Sequence, residues 1–362
     1  MKPHIPPELP VKIQYNDLIP AISKAQHELG NLSGSILHPG VNSNLLITPL
    51  LTKEAVLSSS IEGTVATVEE VFRYEADEES IKGEKIRRDA QEIVNYRKAL
   101  EVSLEELNKR AIGENLLKKA HFILLDSVRG EGKGRGEFRR KQVFIGKPGS
   151  QIEGASFIPA PVDEIPRLMK NWETYINSQD ERELLVQIAV AHYQFEAIHP
   201  FLDGNGRIGR LVIPLFLCDR DLLPRPILYV SEFFENHRDR YIQALRTVDK
   251  GIGWNQWISF FLEAIRVQSS RTRKSIMSII SLYEELKEEV TTFGSVYGNS
   301  MLDAIFIRPI VNYRYLKTEL NASPQTIYNL IDKFVNAGIL FQIPGRERNR
   351  LYIFPALLEL LR

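Results

Sequence analysis

The stretch "ELLVQIAVAHYQFEAIHPFLDGNGRIGRLVIPLFLCDRDL" limits the fold more than any other, because it ties two apolar helices to one tight loop. Its first half has apolar residues at helical spacing, which predicts a buried helix over about Glu181–Ile198. Pro200 disfavours helical dihedrals at His199, so the imidazole falls at or just beyond the helix end and can point into a cleft. The run Asp203-Gly204-Asn205-Gly206 tolerates positive φ, which lets successive backbone N–H groups converge on an anion. Arg207 is expected to open the next helix, whose N-terminal N–H groups and dipole favour phosphate by about 0.3–1 kcal/mol. Arg207 and Arg210 share a face of that helix and can grip phosphate oxygens in pairs.

These parts imply a chemistry. The Lys-Ser/Thr pair of a Walker loop is missing after the glycines, so a different phosphate chemistry is expected. Asp203 supplies a hard oxygen ligand, and Mg²⁺ commonly takes one or two carboxylates together with substrate phosphates. His199 beside them is placed to take a proton from an incoming hydroxyl. Base, metal ligand, anion nest and cationic clamp together predict a nucleotidyl or phosphoryl transferase. His192, Glu196 and His199 can also be drawn as metal ligands on one helix face, but His192 sits in an apolar stretch and reads better as a core histidine. Phe201 reads as a core anchor for the loop.

The chain of 362 residues predicts two or three domains. Lys+Arg and Asp+Glu both number 46, so no global field draws the molecule to nucleic acid or membrane, and any charged site must be local. Cys218 is the single cysteine, which excludes an intrachain disulfide and fits a reducing cytoplasm. The opening "MKPHIPPELP" does not read as a signal peptide, and no apolar stretch is long enough for a membrane span.

The expected fold is mainly α. After a Pro-rich start, "DLIPAISKAQHELGNL" is amphipathic; "TKEAVLSSSIEG" predicts a short helix with Thr52 as N-cap and Gly63 as terminator; "TVEEVFRYEADEE" restarts with a Thr67/Glu70 capping box. Helices are expected over about 82–108, 115–127 and 162–177, and several more over 231–293. Between them, "QVFIG" and "ASFIP" around a polar turn predict one inserted β-hairpin. From about Ser300, three short helices and two β-prone runs around the basic turn "GRERNR" have the order of a winged helix-turn-helix. The expected units are 1–110, 111–295 and 296–362.

The motif "HPFLDGNGRIGR" resembles the signature of the Fic-domain family at every specified position, and "GEFRRKQVFIG…ASFIPAP" and "LYVSEFFENHRDRYIQAL" are similar to the family's flap hairpin and the segment after its core. The resemblance implies a Fic-type helical core and an ATP-dependent protein adenylyltransferase, which moves AMP onto a Ser, Thr or Tyr hydroxyl of a target protein and releases pyrophosphate. It implies His199 as the base and Asp203 as the Mg²⁺ ligand. The Gly204-Asn205-Gly206 backbone and the Asn205 side chain would cradle phosphates, with Arg207 on the departing ones and Arg210 on the γ-phosphate. Asn236 and Tyr241 would border adenine and ribose. The flap's open edge can take an extended stretch of the target by strand addition.

Upstream, Glu62 in "SSSIEG" falls at the C-terminal end of its predicted helix, where a carboxylate opposes the macrodipole and wants a cation elsewhere. The family resemblance supplies one: Ser58 and Glu62 fit the inhibitory pattern of Fic proteins with an N-terminal inhibitory helix, whose glutamate pairs with the second arginine of the motif, here Arg210. ATP then binds with its γ-phosphate turned away and its α-phosphate out of line.

In residues 300–362, eight Lys+Arg face five Asp+Glu, a modest surplus. Ser323 reads as an N-cap with Pro324 in the first turn, and Ser323, Gln325, Thr326 and Asn329 can face a groove. Dimerisation or target docking by this segment is preferred over DNA binding. Two other functions stay open: a DNA-binding regulator with a nucleotide-sensing site, and the same site run in reverse to remove AMP.

Overall fold

The computed structural model describes residues 2–36, 42–128, 132, 134–146, 151–345 and 348–362. The N-terminal part holds α1 (Ile19–Ser35), α2 (Asn44–Ser60), α3 (Val68–Ala76) and α4 (Glu84–Leu107). The middle holds α5 (Glu114–Leu124), α6 (Ile165–Asn177), α7 (Leu184–Ile198), α8 (Asn205–Asp219), α9 (Ser231–Asn236), α10 (Arg238–Asp249) and α11 (Trp254–Thr291). The C-terminal part runs α12 (Gly298–Ile307), β1 (Ile310–Asn312), α13 (Tyr313–Leu320), α14 (Pro324–Asn336), β2 (Phe341–Gln342), β3 (Leu351–Ile353) and α15 (Pro355–Leu360). The chain is mainly α, with one small sheet among the described residues. None of its described helices is long and apolar enough to cross a membrane.

The helix at the centre is α7. Apart from Leu184 and Glu196 its residues are all buried, as an almost uniformly apolar helix requires. Two tryptophans lock it from opposite neighbours: Trp172 Nε1 donates to Ala191 O and Trp257 Nε1 to Ala189 O, both at 2.8 Å. An indole buried this deeply needs such an acceptor. The long α11, about 57 Å at 1.5 Å per residue, packs on α1, α7 and α10 and, further along, on α12 and α15.

The helix carrying the inhibitory pattern begins earlier than expected. Asn44, not Thr52, opens α2, and Thr52 lies inside it with its hydroxyl donating to Thr48 O at 2.8 Å. Pro49 falls in the second turn, where a missing N–H removes one ladder bond without ending the helix. The Thr67/Glu70 capping box forms as the spacing predicts.

The expected hairpin does not form regular strands. Among the described residues, one antiparallel bridge joins Ile145 to Phe157, and the intervening residues 147–150 lie outside the described set. Frequent Gly and Pro leave too few consecutive residues for a ladder.

In the C-terminal part, β3 lies between β1 and β2, antiparallel to both, with Ile353 opposite Ile310 on one side and Phe341 on the other. Sequence reading missed β1, whose Pro309-flanked run is only three residues long, and α15. Arg346 and Glu347 of the basic turn lie outside the described residues. This part is seated on the N-terminal helices: α12 packs on α2 and β1 on α3. Arg97 joins them through a bidentate pair with Glu75 and a 2.7 Å bond to Thr52 Oγ1, with Arg308 3.9 Å from Glu75.

Candidate active site

The site is built where α7 stops. His199 closes the helix in a left-handed conformation (φ 52°, ψ 60°), unusual for a residue with a Cβ, and Pro200 prevents the helix from resuming. The residue stays there because Arg139 holds the loop from outside. Its backbone N–H donates to Pro200 O and its Nε to His199 O, each at 2.8 Å, and its guanidinium reaches the Ala160 and Ile198 carbonyls. Burial without a carboxylate partner lowers this guanidinium to about 10.

The loop that follows is fixed from within. Asn205 accepts from Phe201 N–H and donates to Phe201 O, each at 2.8 Å, closing Phe201–Asn205 into a ring. The Asn205 side chain is thereby engaged with the loop, while the residue itself lines the cleft. Phe201 is fully buried and stacks on His121 at 3.9 Å, as the anchor role predicts. Gly136 N–H donates to His121 Nδ1, which leaves Nε2–H to donate to Asp203 O at 2.9 Å. Burial drives this histidine down to about 4, so it is a neutral strut.

Gly204 takes φ 77° at the N-cap of α8, where a side chain would be strained and crowded against Leu124. The helix starts at Asn205, two residues before the expected Arg207. First-turn N–H groups of α8 therefore face the cleft without intrahelical acceptors. Asp203 lines the same cleft, with Oδ1 accepting from Gly204 N–H at 2.7 Å. Among the described residues no group of three or more His, Cys, Asp or Glu side chains converges as a metal cluster. A hard carboxylate beside an anion-binding helix start still fits Mg²⁺ shared with a nucleotide's phosphates.

The two arginines of the motif part company. Arg207 is 1% exposed, donates to Glu92 Oε2 at 2.9 Å and stands 3.6 Å from Asp203 Oδ1. It lies behind the loop and is not among the residues lining the cleft, with Glu92 on the long α4 pairing it inward. Arg210 does line the cleft. Its Nε donates to Ser58 Oγ at 2.9 Å and its Nη2 to Ser58 O at 2.8 Å and Glu62 Oε1 at 2.9 Å. Burial alone would lower its affinity for a proton, but Glu62, with Tyr241 and Glu196 beside it, together more than offset this. In turn, burial opposes ionisation of Glu62, and Arg210 overcomes it, holding the carboxyl below its ordinary range.

Glu62 stands just past α2, in a turn closed by Gly63 at φ 96°. Its Oε1 sits directly over Gly206, so any Cβ at that position would overlap it. The carboxylate thus stands at the start of α8, where the helix invites an anion.

The cleft has a volume of about 390 Å³, and the rest of its wall is largely apolar and aromatic, with Ile61, Ile145, Phe157, Leu202, Tyr241 and Leu245, alongside the charged Glu196, Arg246 and Asp249. Tyr241 lines the cleft, stacked on Phe234, with its hydroxyl 2.9 Å from His192 Nε2. His192 also contacts Gly209 O at 3.2 Å and is driven to about 3 by burial, a satisfied core histidine. Asn236 is exposed at the end of α9 and does not line the cleft, because the helix turns its apolar side, Phe233 and Phe234, inward. Burial lowers His199 to about 4, with the Glu62 carboxylate pulling the other way, so the imidazole is neutral at physiological pH. Sequence reading missed His121, Arg139 and Glu92, which support the loop from distant segments with no local motif.

Residues 111–217 match the Fic/DOC family and residues 19–105 the Fic/DOC family N-terminal region. A probable protein adenylyltransferase of Aquifex aeolicus is 28% identical over 75% of this chain and 74% of its own length. The protein adenylyltransferase Fic of Drosophila grimshawi is 32% identical over 42% of this chain, which spans only 26% of that longer protein. A Fic family protein from Desulfovibrio desulfuricans superposes with a TM-score of 0.55 at 23% identity, over 97% of this chain and 98% of that one. Fic-1 from C. elegans superposes with a TM-score of 0.53 at 18% identity, over 75% of each chain. With its N-terminal region and core matched back to back and its fold shared, the chain belongs to the Fic/DOC family.

Proposed function

We propose that this chain is an autoinhibited protein adenylyltransferase, transferring AMP from ATP to a hydroxyl of a target protein and to itself. The observation that carries the reading is that His199 lines the same cleft as Asp203 and the first turn of α8. In the reaction His199 takes the proton of the target hydroxyl, whose oxygen attacks the α-phosphorus. The bond from that phosphorus to the bridging oxygen breaks, and pyrophosphate leaves. The α8 N–H groups hold the phosphates in line, which is the larger share of catalysis in such transfers. Asp203 is the residue that would hold Mg²⁺, a cation that supplies charge neutralisation on the phosphates when bound. Arg207 acts from behind by orienting Asp203.

The restraint is read from Glu62. While its carboxylate occupies Arg210 above Gly206, a γ-phosphate cannot take that arginine, and the α-phosphate is left out of line. The C-terminal part, with the helix–strand–helix–helix–strand–strand order of a winged helix, serves here as a docking module. The exposed face of α14 offers Gln325, Tyr328 and Asn329 and no cluster of cations, which suits a protein surface better than phosphates.

Incubation with ATP labelled at the α-phosphate and Mg²⁺ tests the reading. Glu62→Gly is expected to label itself well above the wild-type level, and His199→Ala in that background to stay unlabelled. Label on the His199→Ala protein, or none on Glu62→Gly, overturns it.

A further inference from the structure

A second carboxyl faces Arg210, and the transfer mechanism as described leaves it unused. Glu196 projects from α7 three residues before His199 and lines the cleft beside Glu62 and Arg210. Its Oε1 is closed off from solvent and has no hydrogen-bond partner among the described residues. The carboxyl reaches this position because Gly209 on α8 has no side chain; a Cβ there would overlap Oε1. Leaving a buried carboxyl oxygen unpaired costs about 1–3 kcal/mol, which disfavours the ionised form, while the residue also lines the cleft beside Arg210, where the nucleotide's terminal phosphate would arrive.

The charges around it decide which. Glu62 faces it from the turn after α2, Arg210 and the deeper Arg207 from α8, and Asp203 from the loop. His192 and His199 flank it on its own helix, both neutral at pH 7, and Tyr241, Arg246 and Asp249 line α10. Burial raises Glu196 to about 7, Arg210 pulls it down and Glu62 pushes it up. A terminal phosphate in place of Glu62 brings more negative charge than the carboxylate it displaces. Ionised Glu196 would repel that phosphate, whereas the neutral acid offers it an O–H donor.

Resting on the adenylyltransferase reading, we propose that Glu196 is a nucleotide-positioning residue that meets the terminal phosphate as a neutral acid, so that productive ATP binding takes up a proton. Glu62 and Glu196 thus set two conditions on the same arginine: one anion must leave and the other must be neutralised. ATP affinity falls as pH rises, while affinity for a nucleotide without the third phosphate does not.

The test is calorimetric titration of Mg·ATP and Mg·ADP into full-length Glu62→Gly protein at about pH 7.5, where the nucleotide phosphates are already ionised, in buffers of different ionisation enthalpy. Uptake with ATP is expected to exceed that with ADP by close to one proton per site. Glu196→Gln in the same background removes the excess while ATP still binds. Equal proton numbers for ATP and ADP in the Glu62→Gly protein, a comparison that needs no change at Glu196, overturn the proposal. So does an undiminished excess in the Gln variant. A protein that binds ATP and labels itself without the excess refutes the role of Glu196 and leaves the transferase standing; one that binds no ATP refutes both.

Discussion

The motif loop and the Ser58–Gly63 turn meet at Arg210, yet they are held in place in opposite ways. The loop is closed by its own bonds, Asn205 onto Phe201, and by struts from behind, Arg139 and His121, none of which needs a ligand. The turn reaches the core at Arg210, through Ser58 and Glu62, and the Glu62 side chain keeps 37% of its surface exposed. A rigid, self-satisfied loop gives in-line geometry that does not depend on the regulatory state. The turn has backbone bonds of its own and one from Arg238 to Ile61 O, but its Glu62 carboxylate is paired with an arginine that a phosphate also wants, a contact that can be exchanged. The motif loop and the turn after α2 thus differ in how much of their order is intrinsic.

Breaking the loop's chemistry should have the largest effect. His199→Ala removes the base and is expected to cost about 10²–10⁴ in the transfer rate of the Glu62→Gly protein, measured by labelled AMP incorporation, with thermal stability little changed. Breaking the exchangeable contact comes next. Loss of a charge-assisted bond of about 1.5–3 kcal/mol predicts a roughly 10- to 100-fold rise in self-labelling for Glu62→Gly. If both regions were equally rigid, that substitution would leave activity unchanged.

Asn205→Ala strips the loop of its closure and leaves the buried Phe201 N–H and C=O unpaired. It is expected to destabilise the protein by about 2 kcal/mol in denaturant unfolding and to cut transfer about tenfold. Ser58→Ala removes the hydroxyl that bonds Arg210 and Tyr96, while the Ser58 carbonyl and Glu62 still hold Arg210, so a rise of about fivefold is expected. Smallest is the response to mild acid. His199, lowered to about 4, remains a neutral base at pH 5. The Glu62 carboxyl is lowered in the fold, so its contact with Arg210 persists above the ordinary carboxylate range and is lost only as pH falls through the lowered value. Wild-type protein brought from pH 7 to pH 5 should stay inhibited; release near pH 6 would show that another group holds the turn.

How legible each region was follows from how local its bonds are. The loop's glycines, His199, Asp203 and the Thr67/Glu70 cap were readable because turn chemistry and capping act within a few residues. The start of α2 was misread because Pro49 looks like a boundary, whereas packing of α2 on α4, α9 and α12 carries the helix through it. The flap was read as a hairpin from β-prone runs, but a single bridge at Ile145–Phe157 is all that a Gly- and Pro-rich segment sustains among its described residues. The bonds of Asn205 to Phe201 and of Arg207 to Glu92 were not legible, because a motif states which residues are present, not which way they point.

By itself, the sequence determined the order of helices, the sharp stop at His199-Pro200, an anion-ready start to α8 and the presence of a glutamate after α2. Each of these follows from dihedral preference, periodicity or capping over short spans. Tertiary structure alone decided that Glu92 draws Arg207 out of the cleft, that Arg139 fixes His199 from across the site, and that Gly209 admits Glu196 to the side of Arg210. Those outcomes depend on which buried charges come within a few ångströms of each other, and desolvation makes such pairings decisive only after the chain has packed.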